Sequence, residues 1–303
     1  MVYIYKKIVG GKNYYYLRAS ERKGARIIVK DIAYLGSSIS TARKKLEHLS
    51  QYKEMIRKAY KKIHLFLESN HYLEKAKSLK LKQDAFLLDK TEEVEACKIH
   101  HNEFFKKQSK LTMEEILKNF IIEFSFNTTS IEGNTINLAE ARNLLQNGTT
   151  PKDKTLREIY DLQNTEKVFF EICEAHKNLT HDFVIEIHDN LMENVDPRKG
   201  YRTVDIRVLR SNFEATPAPY VKVDMDLLLR WYKENERKLH PLVLATIFHH
   251  KFEKIHPFSD GNGRTGRMIL NYILLKKNYP PTIIRKKSRK EYLEAMRKAD
   301  NSS

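Results

Sequence analysis

The residues best suited to chemistry in this chain stand together as His256-Pro257-Phe258-Ser259-Asp260-Gly261-Asn262-Gly263-Arg264-Thr265-Gly266-Arg267. A histidine takes up a proton near neutral pH, and one carboxylate suits a hard cation completed by phosphate oxygens and waters. Glycines on both sides of Asn262 let the backbone approach a ligand and turn N–H groups toward it. Arg264 and Arg267, three apart, share the first turn of whatever helix follows. Taken singly, each has a plainer use: a structural hydrogen bonder, a turn, a solvated cation. Within one dozen positions they describe a polyphosphate cradle with a base and a metal-holding carboxylate beside it, the setting for attack on a nucleotide phosphate.

The flanking sequence predicts the elements that position these groups. Pro241 to Ile255 reads as a helix with proline in its first turn and apolar residues nearly all round, hence a central one. Pro257 biases His256 away from helical geometry and ends that helix. A second helix is expected from Arg264 to Lys276, its amide-rich N-terminus facing the anion. Zinc is not expected at His249, His250 and His256, because there is no HExxH and the arginines repel a cation. His249 reads as a brace of the core, and His188 as lying on a helix of the same core.

The segment resembles the Fic motif HPFx[D/E]GNGRxxR at every fixed position. Gly200-Tyr201-Arg202, Trp231 and the His249 helix follow the family's order, and the similarity spans about residues 112–300. The resemblance implies a mainly α fold, a Fic-type helical bundle with a β-hairpin flap over about 204–220. It implies transfer of AMP from ATP to a Ser, Thr or Tyr hydroxyl of a protein target, with His256 as general base and Asp260 holding Mg²⁺. Gly261, Asn262 and Gly263 would form the anion hole, with Arg264 toward the β-phosphate and Arg267 toward the γ-phosphate. Thr128-Thr129-Ser130-Ile131-Glu132-Gly133 resembles the family's inhibitory motif, [S/T]xxxE[G/N], on a helix expected at about 115–133. Glu132 would pair with Arg267 and exclude the γ-phosphate, and the same glutamate is implied to position a water for AMP removal.

Residues 1–40 read as a small β appendage, with alternating tyrosines around Gly10-Gly11-Lys12-Asn13. Residues 41–110 read as helical, opening on a Thr41 cap, and 111–303 as the catalytic core. Thr203 to Val208 alternates as a strand should, with a turn at Ser211-Asn212. No apolar run reaches the roughly 18 residues of a membrane span, and no signal peptide opens the chain, so a cytoplasmic protein is expected. Cys97 and Cys173 carry no metal or disulfide spacing. The formal charge of +16 reads as a solvated basic surface. Residues 41–110 offer surface for a homodimer. Two other readings stand beside AMP transfer: transfer of another phosphate-linked group, or a nucleotide-sensing regulator that binds nucleic acid through the basic charge and the β appendage.

Overall fold

In a computed structural model, the described residues are 1–81, 84–206 and 214–300. The chain divides into two compact units, Met1–Phe104 and Phe105–Ser303. No described helix is long and apolar enough to cross a membrane.

The first unit opens with three antiparallel strands in sequence order: β1 (Val2–Val9), β2 (Lys12–Lys23) and β3 (Arg26–Gly36). Gly10 and Gly11 both have positive φ, 55° and 74°, as a two-residue type I′ turn requires. Period-two alternation sends Val2, Ile4, Tyr15 and Leu17 to one face, where they are buried with Ile39, Ala42, Ile63 and Leu67. Those partners belong to α1 (Ile39–His48) and α3 (Tyr60–Ser78), with the short α2 (Lys53–Lys58) between them and α4 (Thr91–Glu103) after. The sheet therefore shares one core with helices assigned from sequence to a separate region. The first helix is capped by Ser38, whose side chain accepts from the Thr41 amide, and not by Thr41.

The second unit is helical. In order it contains α5 (Lys110–Ile131), α6 (Leu138–Asn147), α7 (Leu156–Glu174), α8 (His181–Leu191), α9 (Val221–Asn235), α10 (Pro241–Ile255), α11 (Asn262–Lys276) and α12 (Arg289–Asp300). Asn137 and Thr155 open α6 and α7 with complete capping boxes, which satisfy orphan amides at each start. Helix α11 is buried along nearly its whole length, from Asn262 to Leu274. It packs against α5, α7, α8 and α10. Phe124, Phe169, Phe248, Phe252, Phe258 and Tyr272 fill the spaces between them.

The hairpin expected over 201–223 falls partly on 207–213, outside the described residues. Its described flanks, 203–206 and 214–217, carry no strand.

Candidate active site

Helix α10 ends at His256, whose φ of 52° and ψ of 61° are left-handed. A non-glycine residue there is uncommon, and the surroundings hold it in place. The His256 amide donates to the Phe252 carbonyl at 2.9 Å. Buried Arg202 donates from Nε to the His256 carbonyl at 2.8 Å, and its amide donates to the Pro257 carbonyl at 2.9 Å. The His256 Nδ1 lies 3.2 Å from the Glu253 carbonyl. A carbonyl only accepts, so Nδ1 carries the proton and the basic lone pair sits on Nε2. Burial pushes the imidazole below its ordinary pKa against the opposing pull of that hydrogen bond, which keeps the ring neutral at working pH.

The loop after His256 is stapled by Asn262. Its side chain accepts from the Phe258 amide at 2.9 Å and donates to the Phe258 carbonyl at 2.8 Å. Phe258 is fully buried and stacks on the ring of His188 at 3.6 Å. The Asn262 side chain therefore holds the loop, while its backbone stands at the first position of α11. Gly261, with φ 76°, caps α11, which starts two residues earlier than the sequence suggested. A β-carbon on Gly261 would lie 2.6 Å from the sulfur of Met192, so a side chain there would have to displace Met192 as well as adopt a left-handed backbone.

Asp260, Arg264 and two residues of α7 form a charged cluster. Arg157 pairs with Asp260 and Asp161 pairs with Arg264, each 103 residues apart in sequence. Arg264 also lies 3.7 Å from Asp260. Burial raises the Asp260 pKa, but Arg264 and Arg157 outweigh it and hold the carboxyl below its usual range. At Asp161 the balance reverses and burial pushes the carboxyl up despite Arg264. Sequence reasoning missed Arg157 and Asp161. Their one signal was a charged pair at i,i+4 on a helix otherwise patterned for the core.

Arg267, also buried, is engaged from α5. It donates from Nε to the Thr128 hydroxyl at 2.7 Å, and from its second amino group to the Thr128 carbonyl at 3.1 Å and Glu132 Oε1 at 2.6 Å. Glu132 caps α5, and Gly133 follows with φ 109°, turning the chain away. Thr128 and Glu132 thus meet Arg267 of α11 across 139 and 135 residues, while Gly133 makes the turn that follows. Glu132 Oε1 lies 2.2 Å from where a β-carbon on Gly263 would stand, so the carboxylate fills the space that glycine leaves open.

Behind Arg267 lies a buried polar layer. His249 Nε2 meets the Tyr292 hydroxyl at 2.8 Å, and its Nδ1 is 3.8 Å from Glu253. That spacing would allow an ion pair, but His249 is buried and the Glu253 side chain only 17% exposed beside a guanidinium, and a neutral pair is the consistent state. Burial, then Arg267, lowers His249 to about 3, while burial raises Glu253 to about 8 despite Arg267. Gly266 makes room for both, since a β-carbon there would fall 2.6 Å from Glu253 and 2.7 Å from His249. Folding raises the Glu253 pKa, so the folded state keeps a proton that the unfolded chain releases above about 4.5. Stability should therefore fall as pH rises toward 8. His249 is neutral in both states above 6.5, so between pH 6.5 and 8 the slope belongs to Glu253, roughly 2 kcal/mol. In Glu253→Gln, Tm measured across that interval should lose this slope; an unchanged slope would refute a protonated Glu253.

No cluster of three potential His, Cys, Asp or Glu metal ligands occurs among the described residues. Asp260 with phosphate oxygens fits Mg²⁺, which retains waters and takes few protein ligands. Arg264 Nε is buried with no hydrogen-bond partner among the described residues, a donor suited to a phosphate oxygen.

Residues 178–274 match the Fic/DOC family model. Protein adenylyltransferase Fic of Nematostella vectensis is 30% identical over 197 residues, covering 63% of this chain and 46% of that protein. Protein adenylyltransferase fic-1 of Caenorhabditis elegans is 28% identical over 205 residues, covering 66% of this chain and 40% of that protein. The chain thus spans less than half the length of these curated relatives. Among solved structures, a Fic domain containing signaling protein from Bacteroides thetaiotaomicron superposes with a TM-score of 0.62 at 24% identity, over 67% of this chain and 80% of that one. Residues 134–508 of C. elegans Fic-1 superpose at 0.59 and 22% identity, over 88% of this chain and 75% of that one. These likenesses show the fold.

Proposed function

We propose that this chain, which carries a Fic/DOC domain, transfers AMP from ATP to a hydroxyl side chain of a target protein and is held back by its own Glu132. The observation that carries the reading is the meeting of His256, Asp260 and Arg264 around the left-handed Gly261 turn at the start of α11. The activity of the adenylyltransferase relatives supports it.

In the reaction, His256 Nε2 accepts the proton of the target hydroxyl, whose oxygen attacks the α-phosphorus. The new O–P bond forms as the bond to the β-phosphate oxygen breaks, and pyrophosphate leaves. The first amides of α11 and the Arg264 guanidinium bind the phosphates and stabilise the charge that develops on them. Asp161 orients Arg264, and Arg157 shields Asp260 until the site is filled. Mg²⁺ held by Asp260 would neutralise charge on the α- and β-phosphates. Arg267 would bind the γ-phosphate, but Glu132 occupies it at 2.6 Å, so the nucleotide is kept from its productive pose.

The test is to incubate the protein, with Mg²⁺ and a mixture of candidate target proteins, with ATP labelled at either the α- or the γ-phosphate. Denaturing gels then report protein-bound label. The expected result is α-label that resists denaturation. Protein-bound γ-label would make the chain a kinase and overturn the reaction assignment.

A further inference from the structure

The positive charge of the chain is concentrated. Residues 1–62 contain sixteen lysines and arginines against four acids, so this fifth of the chain supplies twelve of the sixteen net charges. Most of the cations in this segment belong to the sheet and the helices behind it. One face of the sheet is buried against α1 and α3; on the other, among the described residues, Tyr3, Tyr5, Tyr14 and Tyr16 are half-buried and Tyr34 is exposed.

That second face is built of tyrosines. The register pairs Tyr5 with Tyr16 and Tyr16 with Tyr34, so one tyrosine from each strand forms a row across the sheet. Tyr16 and Tyr34 rings lie 5.2 Å apart, and Tyr14 and Tyr34 6.4 Å apart. The next row joins Tyr3, Arg18 and Asp31. Arg18 sits over the Tyr5 ring, 3.4 Å from its centroid, and Lys45 Nζ lies 5.0 Å from that of Tyr34. Lys7 pairs with Tyr14 at the edge of the same face. Asp31 is the acid in these rows, and it is already paired with Arg18. The far end of the β2–β3 hairpin adds exposed Arg22, Lys23, Arg26 and Lys30. Beside β1, Arg57, Lys58, Lys61 and Lys62 line a depression next to Met1 and Val2.

Cross-strand tyrosine pairs stabilise a sheet by themselves, but that role does not call for cations set among the rings. Rings interleaved with guanidinium and ammonium groups match a ligand that presents flat π-faces joined by anions. We infer that the tyrosine face of this sheet binds a single strand of nucleic acid, bases on Tyr5, Tyr16 and Tyr34 and phosphates on Lys7, Arg18 and the surrounding lysines. Duplex DNA buries its base faces and offers nothing for the rings to stack on. An acidic protein segment would engage the cations alone.

The full chain can be tested by fluorescence anisotropy with a labelled twelve-nucleotide oligo(dT) or oligo(U), its duplex, and polyglutamate, over a series of salt concentrations. Binding of the single strands should exceed that of the duplex and weaken as salt rises. Tyr5→Thr/Tyr16→Thr, which keeps β-forming residues in the sheet, should lower affinity about tenfold or more and leave the salt slope unchanged. Lys7→Ala/Lys12→Ala, at exposed positions, should reduce the log–log salt slope by about 1.4 if both lysines meet phosphates. Circular dichroism melts identify any variant that fails to fold, and the lysine variant keeps the test intact if the tyrosine variant does. Three results would overturn the inference: no binding at low salt, duplex or polyglutamate binding as tight as the single strand, or folded tyrosine variants of undiminished affinity. None of these readouts involves ATP or nucleotide transfer.

Discussion

Glu132→Gly should raise the rate of α-phosphate labelling by about 10- to 100-fold. The estimate follows from the contact it removes: a charge-assisted hydrogen bond is worth roughly 1.5–3 kcal/mol, and the γ-phosphate must otherwise displace it. The Arg267 side chain is 3% exposed and that of Glu132 43% exposed, so solvent screens the carboxylate but not the cation. Burial disfavours the charged Arg267, and the Glu132 carboxylate is the main compensation. Removing it leaves a buried guanidinium held mainly by Thr128, and the nucleotide-free variant should melt at a lower temperature. Mg²⁺-ATP should then raise Tm more in the variant than in the wild type, because the ligand supplies the missing anion. Equal labelling rates, with ATP shown to bind both proteins, would remove Glu132 from any inhibitory role.

His256→Asn should lower labelling by about 10²–10⁴-fold, the usual contribution of a positioned general base, while ATP affinity stays close to that of the wild type. Asparagine is the informative replacement because it tolerates the left-handed backbone at φ 52° better than alanine does. Loss of activity can then be assigned to the missing imidazole and not to a collapsed loop. The acidic limb of the wild-type rate profile should lie below the ordinary histidine range, since burial lowers the His256 pKa. A variant retaining more than a tenth of the wild-type rate would mean that another group takes the proton.

Much of the site was legible because its spacing is local. Pro241 and Pro257 bracket α10, and the glycines and arginines that follow occupy one loop and one helical turn. Glu132 was legible only through resemblance to a motif, since nothing in a helix end predicts a partner 135 residues away. Arg157 and Asp161 were not legible at all. Their pairing with Asp260 and Arg264 depends on how α7 packs on α11, and an i,i+4 charge pair more often marks a solvated face. The sheet's union with α1 and α3 was hidden for a related reason: alternation shows that a strand has an apolar face, but not what covers it. The shift of the first helix cap from Thr41 to Ser38 reflects competition between two hydroxyls three residues apart, each able to serve. The tyrosine alternation was visible, yet only the register aligned Tyr5, Tyr16 and Tyr34 into a row.

The lack of a side chain at Gly263 has a genetic consequence. A β-carbon there would stand 2.2 Å from Glu132 Oε1, and the proposed function gives the adjoining amides to the phosphates. A side chain at that position should therefore displace Glu132 and crowd the nucleotide in a single change. Release from inhibition and loss of catalysis are thus expected to be coupled at position 263 and separable at 132. A screen for hyperactive alleles should return substitutions on α5 and leave the glycine of the loop untouched.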